Sequence, residues 1–117
     1  GLFLFDFWYG PAVLTQIPEV RVKRLEDNGI KVTRIAEPVL YENENVVDVN
    51  YTVFIEMKAT GKVEQVCETH KMRYLFLPEL AFFSALGMWS EIKCFGWMSF
   101  QIPHKENWSG FAVTTYK

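Results

Sequence analysis

The chain is 117 residues long, half of them hydrophobic and 16% aromatic, with 12 lysines and arginines against 14 aspartates and glutamates and a formal net charge of -2. That length sets one domain, and a 22% charged content without any block of like charge excludes a disordered chain, an acidic tail and a polybasic arm. The charge balance offers no general attraction to nucleic acid or to an anionic membrane, and no apolar run approaches the roughly 20 residues of a membrane-spanning helix.

The first element expected is a strand over Leu2 to Tyr9, ended by Gly10-Pro11. Glycine stands at position 1, the strand has no lead-in, and the basic start of a signal peptide is missing. The chain therefore reads as the trimmed C-terminal part of something longer. Asn28-Gly29 is the dipeptide of a type I′ hairpin turn, so Val20 to Asp27 and Ile30 to Leu40 form a hairpin. Glu42 to Asn45 is a polar turn. Val46 to Lys58 then alternates, with Val47, Val49, Tyr51, Val53, Ile55 and Met57 on one face and Asp48, Asn50, Thr52 and Glu56 on the other, the pattern of a half-buried antiparallel strand. Thr60-Gly61 turns the chain into a fourth strand, Lys62 to Phe76, which completes a meander.

At Pro78 the pattern changes. Proline suits the first turn of a helix, Leu77, Leu80, Phe83 and Leu86 recur at spacing three, and Gly87 ends the element. Glu91 to Met98 and Gly110 to Tyr116 read as two last strands, separated by the polar stretch Ser99 to Ser109. The fold class is α+β: a four-stranded antiparallel meander, one helix, and a small sheet made from the first and the last two strands.

Nucleotide-binding loops, zinc-protease motifs and nucleophile elbows are all missing from the sequence. Cys67 and Cys94 make neither a CxxC pair nor a disulfide framework, which fits a reduced, cytoplasmic chain without a metal site. The sequons Asn50-Tyr51-Thr52 and Asn107-Trp108-Ser109 matter only in a secreted protein. His104 lies in a loop and is expected to be solvated. His70 shares a strand face with Glu68, Met72 and Tyr74, where it is either a proton acceptor near neutral pH or a partly buried structural histidine. Phe5, Phe7, Trp8 and Tyr9 form either core or one wall of a pocket. Lys23, Arg24, Lys31 and Arg34 form either a solvated sheet face or a patch for phosphate or an acidic ligand.

The order of elements and several phrases of the sequence resemble the C-terminal portion of class I S-adenosylmethionine-dependent methyltransferases, in particular glycine and sarcosine methyltransferases and the N-methyltransferases of nucleotide-linked amino sugars. Gly1 followed by Leu-Phe-Leu-Phe-Asp-Phe-Trp-Tyr-Gly-Pro is similar to the glycine turn and fifth strand of that fold. VRVKRLEDNGIKVTRIAEPVLYENENVVDVNYTVFI and ETHKMRYLFLPEL resemble its antiparallel insertion. The resemblance implies that residues 2–9 are strand five of a parent sheet, 20–76 the insertion and 77–117 a helix with the last two strands, the final strand lying antiparallel between the fifth and sixth. It implies that S-adenosylmethionine serves the parent protein, that none is bound by this chain alone, and that Trp8, Tyr9, His70 and Tyr74 lie near a small-molecule acceptor with His70 as the catalytic base. Strand 2–8, lacking its other neighbour, is then expected to pair two copies into a homodimer. The rival readings are a free-standing module holding an apolar ligand between Trp8, Trp89, Trp97 and Phe100, and an oligomerisation domain.

Overall fold

The computed structural model describes residues 1–87 and 89–117. Along the chain run β1 (Leu2–Trp8), α1 (Gly10–Gln16), β2 (Arg21–Glu26), β3 (Ile30–Tyr41), β4 (Val46–Met57), β5 (Val63–Arg73), α2 (Leu77–Leu86), β6 (Lys93–Gly96) and β7 (Ser109–Thr115). The strands form a three-stranded sheet, in the order β1-β7-β6, and a four-stranded antiparallel sheet, in the order β2-β3-β4-β5. The α+β architecture expected from the sequence is the one found. The chain divides into two compact units, one of Gly1–Ile17 with Arg73–Lys117, the other Pro18–Met72.

Turn chemistry builds the second unit. At the β2–β3 tip, neither Asn28 nor Gly29 takes the left-handed conformation that a type I′ turn needs. Asp27 makes the turn instead: its Oδ1 accepts hydrogen bonds from the N–H groups of Gly29 (2.8 Å) and Ile30 (2.9 Å). Such a side-chain turn replaces the backbone geometry that Asn-Gly alone would supply. Lys58 closes the tip, pairing with Glu26 at 3.1 Å and donating to the Asp27 carbonyl at 2.5 Å. The other two turns form where expected, with Asn45 at φ 55° before β4 and Gly61 at φ 71° before β5, conformations that Asn and Gly tolerate.

In the first unit, β7 is antiparallel to both neighbours, pairing Leu2 with Thr115 through Trp8 with Ser109 on one side and Lys93 with Val113 through Gly96 with Gly110 on the other. Its core gathers Phe7, Tyr9, Ala12, Leu80 and Ala112, with Phe5, Leu75, Leu77, Ile92 and Cys94 packed around them.

Three expectations are corrected here. A second helix, α1, follows β1: Pro11 occupies its first turn, where a missing N–H costs nothing, and Ala12 and Val13 are fully buried. Gly10-Pro11 reads as a turn in sequence because it opens so short a helix. The strand expected over Lys62 to Phe76 ends at Arg73, after which Leu75 bridges Tyr9 in parallel. In α2, Leu80 and Ser84 are buried while Phe83 and Leu86 are exposed. A strict spacing of three lags the helical repeat of about 3.6 by about 60° per step, so it cannot hold one face.

Two outcomes check this packing. A methyl group at Gly10 would lie 2.6 Å from the Phe76 ring, so Gly10→Ala is expected to cost about 1–3 kcal/mol in chemical denaturation, with Phe76→Leu recovering part of it. The Asp27 carboxyl is held below its usual 3.8, first by the hydrogen bond from Ile30, then by that from Gly29. Its contribution to the hairpin is therefore present above the unfolded value and lost as pH falls through the folded one. An NMR titration of Asp27 is expected to show a midpoint below 3.8, and protonation to speed exchange of the Gly29 and Ile30 amides.

Candidate functional site

At the end of β1, aromatic rings and backbone hydrogen bonds hold several of the expected site residues. Trp8 meets Trp108 edge to face at 5.3 Å between centroids. The N–H of Tyr9 donates to the Trp108 carbonyl and that of Gly10 to the Leu75 carbonyl, both at 2.8 Å, while Leu75 N–H returns to the Trp8 carbonyl at 3.0 Å. These bonds place Trp8, Tyr9 and Tyr74 on adjoining backbone. Tyr74 is fully buried and Tyr9 nearly so. The Phe76 ring stands 5.9 Å from that of Tyr74 and covers Gly10. Arg73 donates to the Tyr74 carbonyl and pairs with Glu79 at 2.5 Å, while Glu79 Oε1 accepts from the Phe76 N–H at 3.1 Å. Glu79 thereby fixes both the start of α2 and the segment that lies along β1.

His70 belongs to the second unit. Its side chain is 53% exposed. The ring lies edge-on to Tyr51 at 5.0 Å, and Nε2 is 3.1 Å from Glu68 Oε2. With Nε2–H donating to the carboxylate, Nδ1 carries the free lone pair. A carboxylate that orients an imidazole in this way leaves the other nitrogen able to accept a proton.

Two residues stand out that sequence reasoning had not assigned to a site. Asp48 Oδ1 is buried, with no hydrogen-bond partner among the described residues; alternation places Asp48 on the polar face of β4 but says nothing of its burial. Tyr51 touches both His70 and Arg34, and neither contact leaves a motif in the sequence. His104 is exposed as expected, its Nδ1 accepting from Glu106 N–H at 3.3 Å. Burial pushes the Cys94 thiol upward, and Cys67 is exposed. Among the described residues no group of His, Cys, Asp and Glu is arranged to hold a metal ion, and no helix is long and apolar enough to cross a membrane. Of the four aromatic residues of the rival pocket, Trp8 contacts Trp108, Trp89 stacks on Phe3 at 5.1 Å and Phe100 meets Phe95 at 6.0 Å, with Trp97 and Phe100 well exposed.

The turn from β1 into α1 does not fit a nucleotide-type cofactor. Its amides are already bonded, and the Phe76 ring fills the space over Gly10.

No family model and no curated protein matches the sequence. Solved structures do match in fold. A S-adenosylmethionine-dependent methyltransferase from Clostridium acetobutylicum ATCC 824 aligns over 99% of this chain and 44% of its own, at 15% identity and a TM-score of 0.75. The sugar N-methyltransferase KedS8 from Streptoalloteichus sp ATCC 53650 aligns over 97% and 42%, at 16% identity and a TM-score of 0.65. An amino pentose methyltransferase from Micromonospora echinaspora, solved with S-adenosylmethionine bound, aligns over 85% and 37%, at 14% identity and a TM-score of 0.61. The chain thus has the fold of part of these enzymes and spans less than half of their length.

Proposed function

We propose that this chain is the acceptor-side, C-terminal part of a S-adenosylmethionine-dependent small-molecule methyltransferase, and that it is inactive alone. The observation that supports this most is the β1-β7-β6 order, with β7 antiparallel between its neighbours and the four-stranded sheet inserted between α1 and α2. The sugar and amino pentose methyltransferases among the matched structures support an amine as acceptor. In this reading Trp8 and Tyr9 are acceptor-side residues of the first unit, with the fully buried Tyr74 a support rather than a contact. In the second unit, taken by itself, His70, oriented by Glu68, is the candidate for the base that takes the proton an ammonium must lose before its nitrogen can attack. Positioning and one weak base are sufficient for that chemistry. The cofactor supplies the methyl group and is held by residues outside these 117.

The parent enzyme, given S-adenosylmethionine and a panel of small amines including amino sugars, is expected to release S-adenosylhomocysteine only when an acceptor is present. His70→Ala should lower kcat by about 10²-fold, and the 117-residue chain alone should show no heat on titration with S-adenosylmethionine. Acceptor-independent release, or micromolar cofactor binding by the isolated chain, contradicts the proposal. Unchanged turnover in the His70 variant with lowered thermal stability removes the base from it.

The outer edge of β1 carries the partner expectation. Among the described residues β1 has β7 as its one strand neighbour, Leu2 and Leu4 are well exposed, and Leu2 to Phe5 includes no Lys or Pro to blunt pairing. The isolated chain is therefore expected to sediment as a dimer at micromolar concentration, with Leu4→Lys shifting it to monomer. A monomeric wild type with an ordered, unpaired β1 contradicts this.

A further inference from the structure

The β2–β3 hairpin carries its charges differently on its two faces. Residues directly opposite each other in an antiparallel pair share a face. On one face Lys31 stands between Glu26 of β2 and Glu56 of β4, an alternation of sign that suits a solvated sheet. On the other face Lys23 stands directly opposite Arg34, and like charges in that relation destabilise a sheet. Two residues along, Arg21 is opposite Ala36, which is itself opposite Tyr51. Arg21, Lys23 and Arg34 thus share one face with Tyr51, and all three are exposed. The ion pairs among the described residues involve none of them.

Tyr51 gives this cluster its shape. The Arg34 guanidinium carbon lies 5.3 Å from the centre of its ring, and His70 meets the ring edge-on from the β5 side at 5.0 Å. Cation–π contact holds the guanidinium in place without neutralising it. Glu68, the carboxylate beside His70, accepts a hydrogen bond from that imidazole at 3.1 Å and is the one acidic group that these contacts place on this side of Tyr51, against the three cations. Between Arg21 and Tyr51, Ala36 presents only a methyl group.

The geometry points to an anion site on this face, formed by Arg21, Lys23 and Arg34 beside Tyr51, that takes a multiply charged anion of the phosphate class. A guanidinium presents forked donors that match phosphate oxygens, and an ammonium adds a compact charge. Two directly opposed cations with a third beside them match charge spread over several oxygens; one carboxylate would leave most of the repulsion in place. The site does not depend on the methyltransferase reading.

The test is titration of the 117-residue chain with inorganic pyrophosphate at constant ionic strength, followed by amide NMR. Saturable shifts are expected around Arg21 to Lys23, Arg34 to Ala36 and Tyr51, with a dissociation constant no weaker than about 1 mM. Lys23→Gln should weaken binding by at least about tenfold, while Lys31→Gln, the same loss of charge on the opposite face, should leave it unchanged. Lys23→Glu should abolish binding and raise the thermal midpoint of the free protein, since it turns a like-charged pair into an opposite one. Shifts that never saturate, equal losses in the Lys23 and Lys31 variants, or citrate binding as tightly as pyrophosphate would each overturn the assignment.

Discussion

The three-stranded sheet depends on the close approach that β7 permits. Gly110 and Ala112 give that strand almost no side-chain bulk where it crosses the core: a methyl group at Gly110 would lie 3.0 Å from both the Phe7 ring and the Phe95 carbonyl, and Ala112 is completely buried. Because β7 is small there, Phe7 of β1 and Tyr9, which follows it, can meet Ala12 of α1 and Leu80 of α2 in one cluster. Each large side chain buried in this way contributes about 1.5–3 kcal/mol. The double antiparallel pairing of β7 then joins the first residues of the chain to its last.

The chain leaves this unit after Ile17, whose φ of 37° is unusual for a β-branched residue, and re-enters it at Arg73. Re-entry is secured by the Arg73–Glu79 pair, by the capping of α2 by Glu79, and by the bridge of Leu75 to Tyr9. Between those points lies a complete four-stranded sheet with its own turns. Closing a long insertion costs little more than closing a short one, so such a sheet can differ in its side chains while the host packing stays the same.

The strands were legible in the sequence where apolar and polar residues alternate, as in β4, although both faces of that strand are half-buried from Asn50 to Glu56, or where turn residues bracket them, as at Thr60-Gly61. The type of turn at Asn28-Gly29 was not, because Asp27, one residue earlier, competes for the same amides with its side chain. Helix α1 escaped because seven residues opening on Gly-Pro give too little periodicity to tell from a turn. Tyr74 looked continuous with the His70 face because alternation cannot register that the strand stops and the chain enters another core. At the candidate site, the pairing of His70 with Glu68 follows from their i, i+2 spacing on one strand face. The Arg34–Tyr51–His70 contacts involve three strands, and a register is needed to see them.

The central claim is that these 117 residues serve the acceptor rather than the cofactor. Amide hydrogen exchange in the parent enzyme, measured with S-adenosylhomocysteine alone and then with an acceptor added, tests it most directly. The account predicts that exchange in β5 around His70 slows when the acceptor is added, whereas the cofactor product alone leaves β2 to β5 as they were. Protection of β2 to β5 by the cofactor product, with no further change when the acceptor is added, would contradict it.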